Sequence, residues 1–165
     1  MGEQLAYVKE NSQALAHFSK ARAFFEKVTA DAPGDLNSRF RVATCGAGLA
    51  AMQARLGEVD PALKECGKSV GLLREISEDA ANTQHRSLRA EAYEYLGYAY
   101  QALGEAPQAA ADEKRRHMSA ARDMFQECMN VLDDFRKRRA LDPGDEKWAR
   151  YIADEIAKCD AALGR

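Results

Sequence analysis

Proline and glycine gather at only a few points in this chain, and those points dictate what the rest can form. They are Ala32-Pro33-Gly34-Asp35, Leu56-Gly57-Glu58-Val59-Asp60-Pro61, Leu103-Gly104-Glu105-Ala106-Pro107 and Asp142-Pro143-Gly144-Asp145, with a weaker break at Glu78-Asp79-Ala80-Ala81-Asn82. Each cluster ends one regular element and lets the next begin, because proline lacks the backbone donor and glycine lacks a preferred backbone conformation. Between the breaks the chain is rich in Ala, Leu, Glu, Lys, Arg and Gln and poor in β-branched residues, with no useful period-two alternation. That pattern excludes a sheet and favours long helices. The expected fold is all-α, in a single domain over 1–165, with helices near 3–30, 36–56, 61–78, 83–103, 111–139 and 145–163. Asp35, Asn82 and Asp145 stand where an N-cap belongs, and Gly57 and Gly104 where a helix should stop. The breaks alternate in kind: Leu-Gly-Glu at 56–58 and 103–105, against the Pro-Gly-Asp or Ala-Ala-Asn type elsewhere. Alternation of this sort is expected of helix pairs in series, a helical-hairpin solenoid of about six antiparallel helices.

The bulk properties remove several function classes. With 165 residues the chain is long enough to bury a sizeable core. A formal net charge of -2 argues against general nucleic-acid binding, which wants a basic excess. No apolar run approaches the ~18 residues of a membrane span. The opening MGEQLAYVKENS lacks a basic region followed by an apolar one, so no secretory signal is read there. Cys45, Cys66, Cys128 and Cys159 stand singly, with no CxxC pair. They read as small buried hydrophobes in a reducing environment, and the expected location is the cytoplasm.

The stretch EAYEYLGYAYQALGE, residues 91–105, places Gly97 inside an otherwise strong helix. Glycine there costs about 1 kcal/mol relative to alanine, so something must offset it. Tyr93, Leu96, Gly97 and Tyr100 are spaced as W-x2-L-G-x2-Y with Tyr in place of Trp, which resembles helix A of a tetratricopeptide repeat. The second half of that motif is matched by Ala21, Phe25, Val28 and Pro33, and in part by Ala121, Phe125 and Cys128. The middle unit is weaker, with Leu49-Ala50, Gly57 and Ala62. The helix-A aromatic position expected at 39 and 86 from the preceding breaks lies seven residues later, at 46 by the register counted back from Gly57 and Ala62, and at Tyr93. Seven residues are about two helical turns, so both A helices gain length without changing their inward face. The resemblance implies that Gly97 faces the partner helix of its own hairpin and lets two backbones approach closely. An insertion, PQAAADEKRRHMS, displaces the second half of that hairpin and reads either as loop or as helix. The first helix has no partner before it, as expected for a fragment of a longer array. The C-terminal stretch from DDFRKRRALDPGDEKW is similar to the ends of such repeat regions that follow bacterial serine/threonine kinase domains. The kinase motifs themselves are absent from the sequence.

No residue pattern suggests chemistry. His17, His85 and His117 fall on three different helices without a ligand spacing such as HExxH, and no metal or cofactor is expected. None of the cysteines has a base or orienting group nearby in sequence. The basic runs Lys114–His117 and Arg136–Arg139 share a helix with Asp112, Glu113, Asp123, Glu127, Asp133 and Asp134, and read as a solvated face rather than a phosphate site. The resemblance implies a non-catalytic scaffold or regulatory module that binds a protein or peptide in its concave groove. Glu91, Glu94, Tyr98 and Gln101 are the helix-A positions that would line that groove, with Tyr95 nearby. Thr44, Ala47, Ala51 and Ala54 match them on the preceding helix and imply a roomy, apolar stretch. Tyrosines and carboxylates suit a segment with basic and apolar residues. The Lys/Asn/Arg clamp of the chaperone adaptors is absent, which disfavours that partner class. The same face also fits a polar surface without a ligand, a site of self-association, or a surface that packs on another part of a longer chain such as a bacterial kinase.

Overall fold

The computed structural model describes residues 2–76, 82–138 and 143–165. Six helices account for nearly all of them: α1 Gly2–Asp31, α2 Leu36–Arg55, α3 Val59–Glu75, α4 Thr83–Glu105, α5 Ala111–Lys137 and α6 Pro143–Leu163. The described residues contain no strand. None of the helices is long and apolar enough to cross a membrane.

The caps explain most boundaries. Asp35 accepts from the Asn37 N–H at 3.1 Å, and Asn82 Oδ1 from the His85 N–H at 3.1 Å, so both begin their helices as the sequence suggests. Gly57 has φ +81°, the left-handed conformation that ends α2 at little cost. Three expectations need correction. Gly104 does not stop α4, which runs on to Glu105. Gly104 is buried there, and a Cβ on it would lie 3.0 Å from Met118 Cγ and 3.3 Å from the Lys114 carbonyl oxygen, so it serves close packing on α5. Asp145 is not an N-cap, because α6 begins at Pro143, a residue well suited to a first turn whose N–H groups have no helical acceptor. Helix α3 starts at Val59, two residues before Pro61, and ends at Glu75, after which Ile76 is extended. The rest of the break at 77–81 lies outside the described residues, as does 139–142. The insertion after Gly104 resolves into a short connection and the first turns of α5.

Successive helices pack antiparallel. Gly97 and Gly104 of α4 meet Phe125 and Met118 of α5, while Arg86 near the other end of α4 pairs with Asp134. The even-numbered helices run in the same direction side by side. Thr44 of α2 lies opposite Leu88 of α4, and Arg55 opposite Tyr98. Glu94 and Gln101 of α4 likewise lie opposite Trp148 and Glu155 of α6. The core between α2 and α4 is built from small residues, Ala43, Ala47, Ala50 and Ala51 against Ala92, Leu96 and Ala99. A second core joins α4 to α5 and α6 through Phe125, Leu132, Phe135 and Ile152. Tyr93, Tyr98 and Tyr100 pack against both.

Gly97 answers the question its position raises. A Cβ there would lie 2.5 Å from Phe125 Cδ1, so only glycine lets that fully buried ring reach the backbone of α4. Helix α2 repeats the device: a Cβ on Gly48 would lie 2.5 Å from Phe18 Cε1 of α1. Arg22 of α1 adds an ion pair to Glu65 of α3, so α1 is tied to both helices of the first hairpin. Arg89 of α4 donates to the carbonyls of Leu73 at 3.1 Å and Ile76 at 2.9 Å, holding the open end of α3.

Candidate functional site

The seven positions marked from the sequence divide into three on α2 that face α4, three on α4 that meet α6, and Glu91, which borders a cavity. Ala47 and Ala51 are fully buried and Thr44 nearly so, with Thr44 Oγ1 3.0 Å from the carbonyl oxygens of Phe40 and Leu88. These three face α4. Small side chains on α2 let α4 close over Ala47 and Ala51, while Thr44 also borders that cavity. Of the equivalent positions of α4, Glu94, Tyr98 and Gln101 turn toward α6. Trp148 Nε1 donates to Glu94 at 2.9 Å, Gln101 Nε2 donates to Glu155 at 3.2 Å, and the Tyr98 and Tyr151 rings lie 6.4 Å apart. Tyr98 also donates to Glu94 at 3.3 Å and sets its ring edge-on against Phe125. Glu94, Tyr98 and Gln101 thus keep only part of their surface for a ligand. Trp148, Tyr151 and Glu155 are their neighbours here, and nothing in their local spacing marks them as such.

Glu91 is placed differently. It stands in the wall of a cavity of ≈ 440 Å³ bounded by α1, α2 and α4. The other walls are Ala14, His17, Phe18, Ala21 and Phe25 of α1, Arg41, Thr44 and Cys45 of α2, and Leu88 of α4. Helix α1 creates this space by where it docks. Phe18 occupies the notch at Gly48 and meets Tyr95 edge-on at 5.3 Å. Phe25, two turns further along, is left lining the opening with the Arg41 guanidinium 5.3 Å above its ring. The apolar spacing at 14, 18, 21 and 25 is the one signal that foreshadows this wall, since those positions share a helix face.

The electrostatics of the site follow from burial. Desolvation raises the Glu91 carboxyl, partly countered by Arg41 and by a hydrogen bond from Tyr95. Burial also raises Glu94, against the hydrogen bonds from Trp148 and Tyr98, and the nearby Glu91 and Glu155 add to the rise. Burial with the Glu91 and Glu94 charges pushes the Tyr95 hydroxyl up to about 12. The four cysteines are buried free thiols. Burial raises all of them, Cys66 to about 12 and Cys159 to about 11, so none favours the reactive thiolate. Among the described residues no group of three or more His, Cys, Asp or Glu side chains converges in a way that could hold a metal ion. No known protein family, curated protein or solved structure matches this chain.

Proposed function

We propose that the chain is a protein–protein interaction module of the tetratricopeptide kind, without catalysis of its own, that receives a segment of a partner protein in the trough between α1, α2 and α4. The observation that carries this reading is the cavity itself. Its ≈ 440 Å³ falls within the roughly 300–1,000 Å³ of ligand pockets, and its walls are mostly apolar, with His17, Thr44, Arg41 and Glu91 as the polar members. The repeat kinship rests on residue spacings, supported by two features of the packing. Positions 44, 47 and 51 of α2 face α4, and 94, 98 and 101 of α4 meet Trp148, Tyr151 and Glu155 of α6, while Glu91 borders the trough. Gly97 and Phe125, both taken from the repeat motif, meet each other. A stack of this kind offers preorganised side chains, so binding there orders little of the receptor.

The test is affinity capture from the source lysate with wild-type protein and an Ala21→Phe variant as parallel baits. Ala21 lines the cavity and is half-buried, so the added ring fills the space. Both baits must first show the same helical circular dichroism. A partner retained by the wild type and lost by the variant supports the reading; identical capture removes the trough from consideration. A second reading, self-association, draws on Tyr7, Val8 and Phe24, which leave about half or more of their surface exposed on α1. Sedimentation equilibrium at several concentrations separates the two, since only self-association raises the mass with concentration.

A further inference from the structure

Glu91 and Glu94 of α4 form no ion pair among the described residues, although the Arg41 charge in the same cavity wall acts on Glu91. Glu94 takes its hydrogen bonds from two neutral donors, Trp148 Nε1 and Tyr98 Oη. Glu91 takes one from Tyr95, also neutral. Of Glu91, Glu94 and the neighbouring Glu155 of α6, only Glu155 has a cation in direct contact, Lys158 at 2.7 Å. Arg41 lies over the Phe25 ring, and Arg55 lies 5.6 Å over Tyr98. Neither forms an ion pair with Glu91 or Glu94. Beside Glu91 the cavity presents Phe18, Phe25 and Leu88, which favour an apolar guest.

From this juxtaposition we infer that the partner segment carries a bulky apolar side chain next to a lysine or arginine, the apolar group filling the cavity and the cation resting on Glu91. The inference rests on the module reading above and specifies the chemistry of its partner. An acidic or phosphorylated segment would bring its charge against Glu91 and Glu94, which like-charge repulsion disfavours. A basic one meets a carboxylate that has already lost much of its water in the free protein. Only the incoming cation then has to shed its shell, and the charge-assisted bond forms in a partly desolvated place where it is strong. The apolar neighbour sets the register, because the cavity opens on the same side of α4 as Glu91.

The experiment uses degenerate nonapeptide pools with a fixed central pair, Leu-Arg, Leu-Gln, Leu-Glu or Ser-Arg, passed over immobilised wild-type protein, Glu91→Gln and Ala21→Phe. Glutamine keeps the size and the Tyr95 contact while removing the charge. The wild type should retain the Leu-Arg pool about tenfold better than Leu-Glu, the size of one good charge-assisted hydrogen bond. E91Q should reduce Leu-Arg to the level of Leu-Gln, and Ala21→Phe should abolish the advantage of Leu over Ser. Equal retention of Leu-Arg and Leu-Glu, an unchanged preference in E91Q, or no retention of any pool overturns the inference. Retention that Ala21→Phe abolishes, but that ignores the charged partner residue, leaves the docking trough standing and removes only the basic partner. Retention indifferent to both substitutions removes the trough as well.

Discussion

Single glycines carry much of the specificity of this packing, and they differ in a way that can be measured. Gly97 holds Phe125 against the backbone of α4, with an added Cβ only 2.5 Å from Cδ1 of a ring that is fully buried. Alanine at 97 gains about 1 kcal/mol in helix propensity but forces a ring that has nowhere to go, an overpacking cost of about 1–3 kcal/mol. Gly97→Ala should therefore lower stability in urea unfolding, and adding Phe125→Leu should recover part of the loss. Gly67 and Gly71 of α3 are the control, because a Cβ at either meets nothing within 4 Å. Alanine there should stabilise by about 0.5–1 kcal/mol. A Gly97→Ala protein as stable as Gly67→Ala would refute the close-packing role. Glu94 makes a second residue-scale test. Its carboxyl is raised in the folded protein, so its contribution to stability is fully present below the ordinary carboxyl value near 4.3 and is lost as pH rises through the raised one. Glu94→Gln keeps an acceptor for Trp148 without the buried charge. It should be more stable than the wild type at pH 8, with the difference shrinking as pH falls toward 4. A difference independent of pH would mean that the carboxylate is not strained by its surroundings.

Helices are the level at which the sequence was most legible, and the limits are physical. Asp35, Asn82 and Gly57 mark boundaries because capping and positive φ are local demands that a residue meets by itself. Gly104 looked the same in sequence but answers to Met118, fourteen residues on, which no local rule contains. The corresponding positions on α2 and α4 were legible as equivalents, yet what they face was not. A helical repeat fixes which residues share a face, whereas the neighbour that covers it depends on side-chain size there: alanines admit α4, and Glu94 and Gln101 admit polar partners from α6. The cavity was illegible for a related reason, since it exists only because α1 docks by Phe18 and leaves Phe25 at the rim. That docking predicts a separable element. Phe18→Ala removes the ring from the Gly48 notch and from Tyr95, at a cost of about 2–3 kcal/mol for a half-buried aromatic. Amide exchange should quicken along α1 and at the α2 amides it covers, while α5 and α6 keep their protection. Exchange that quickens equally in all helices would show that α1 is not an independent layer.

Whole-molecule stability depends on whether the helices act as one unit or as a chain of neighbours. The packing favours the second. The α2–α4 core and the α4–α5–α6 core are distinct and meet at three half-buried tyrosines of α4, Tyr93, Tyr98 and Tyr100. Helix α6 is held by Ile152 in the second core, by Arg122 to Asp160 at 2.5 Å, and by Trp148 to Glu94. In such an arrangement the free energy is close to a sum of local and nearest-neighbour contributions, so weakening the last element should loosen it first. The chain has one tryptophan, Trp148, and it sits on α6, so fluorescence reports that helix while circular dichroism reports them all. Ile152 is fully buried, and Ile152→Ala should cost about 2–5 kcal/mol. In the wild type the two signals should give one midpoint in urea, because the tyrosine seam couples the cores. In Ile152→Ala the fluorescence midpoint should move to lower urea than the dichroism midpoint, with α6 leaving before α2 and α4 melt. Coincident transitions in the variant would mean that the seam transmits the full loss to every helix, and the neighbour-by-neighbour description would fail. The same result would bear on binding. If α6 can part from α4 while the α1–α2–α4 cavity stays intact, the variant should still retain whatever the trough receives, since none of the cavity walls belongs to α6.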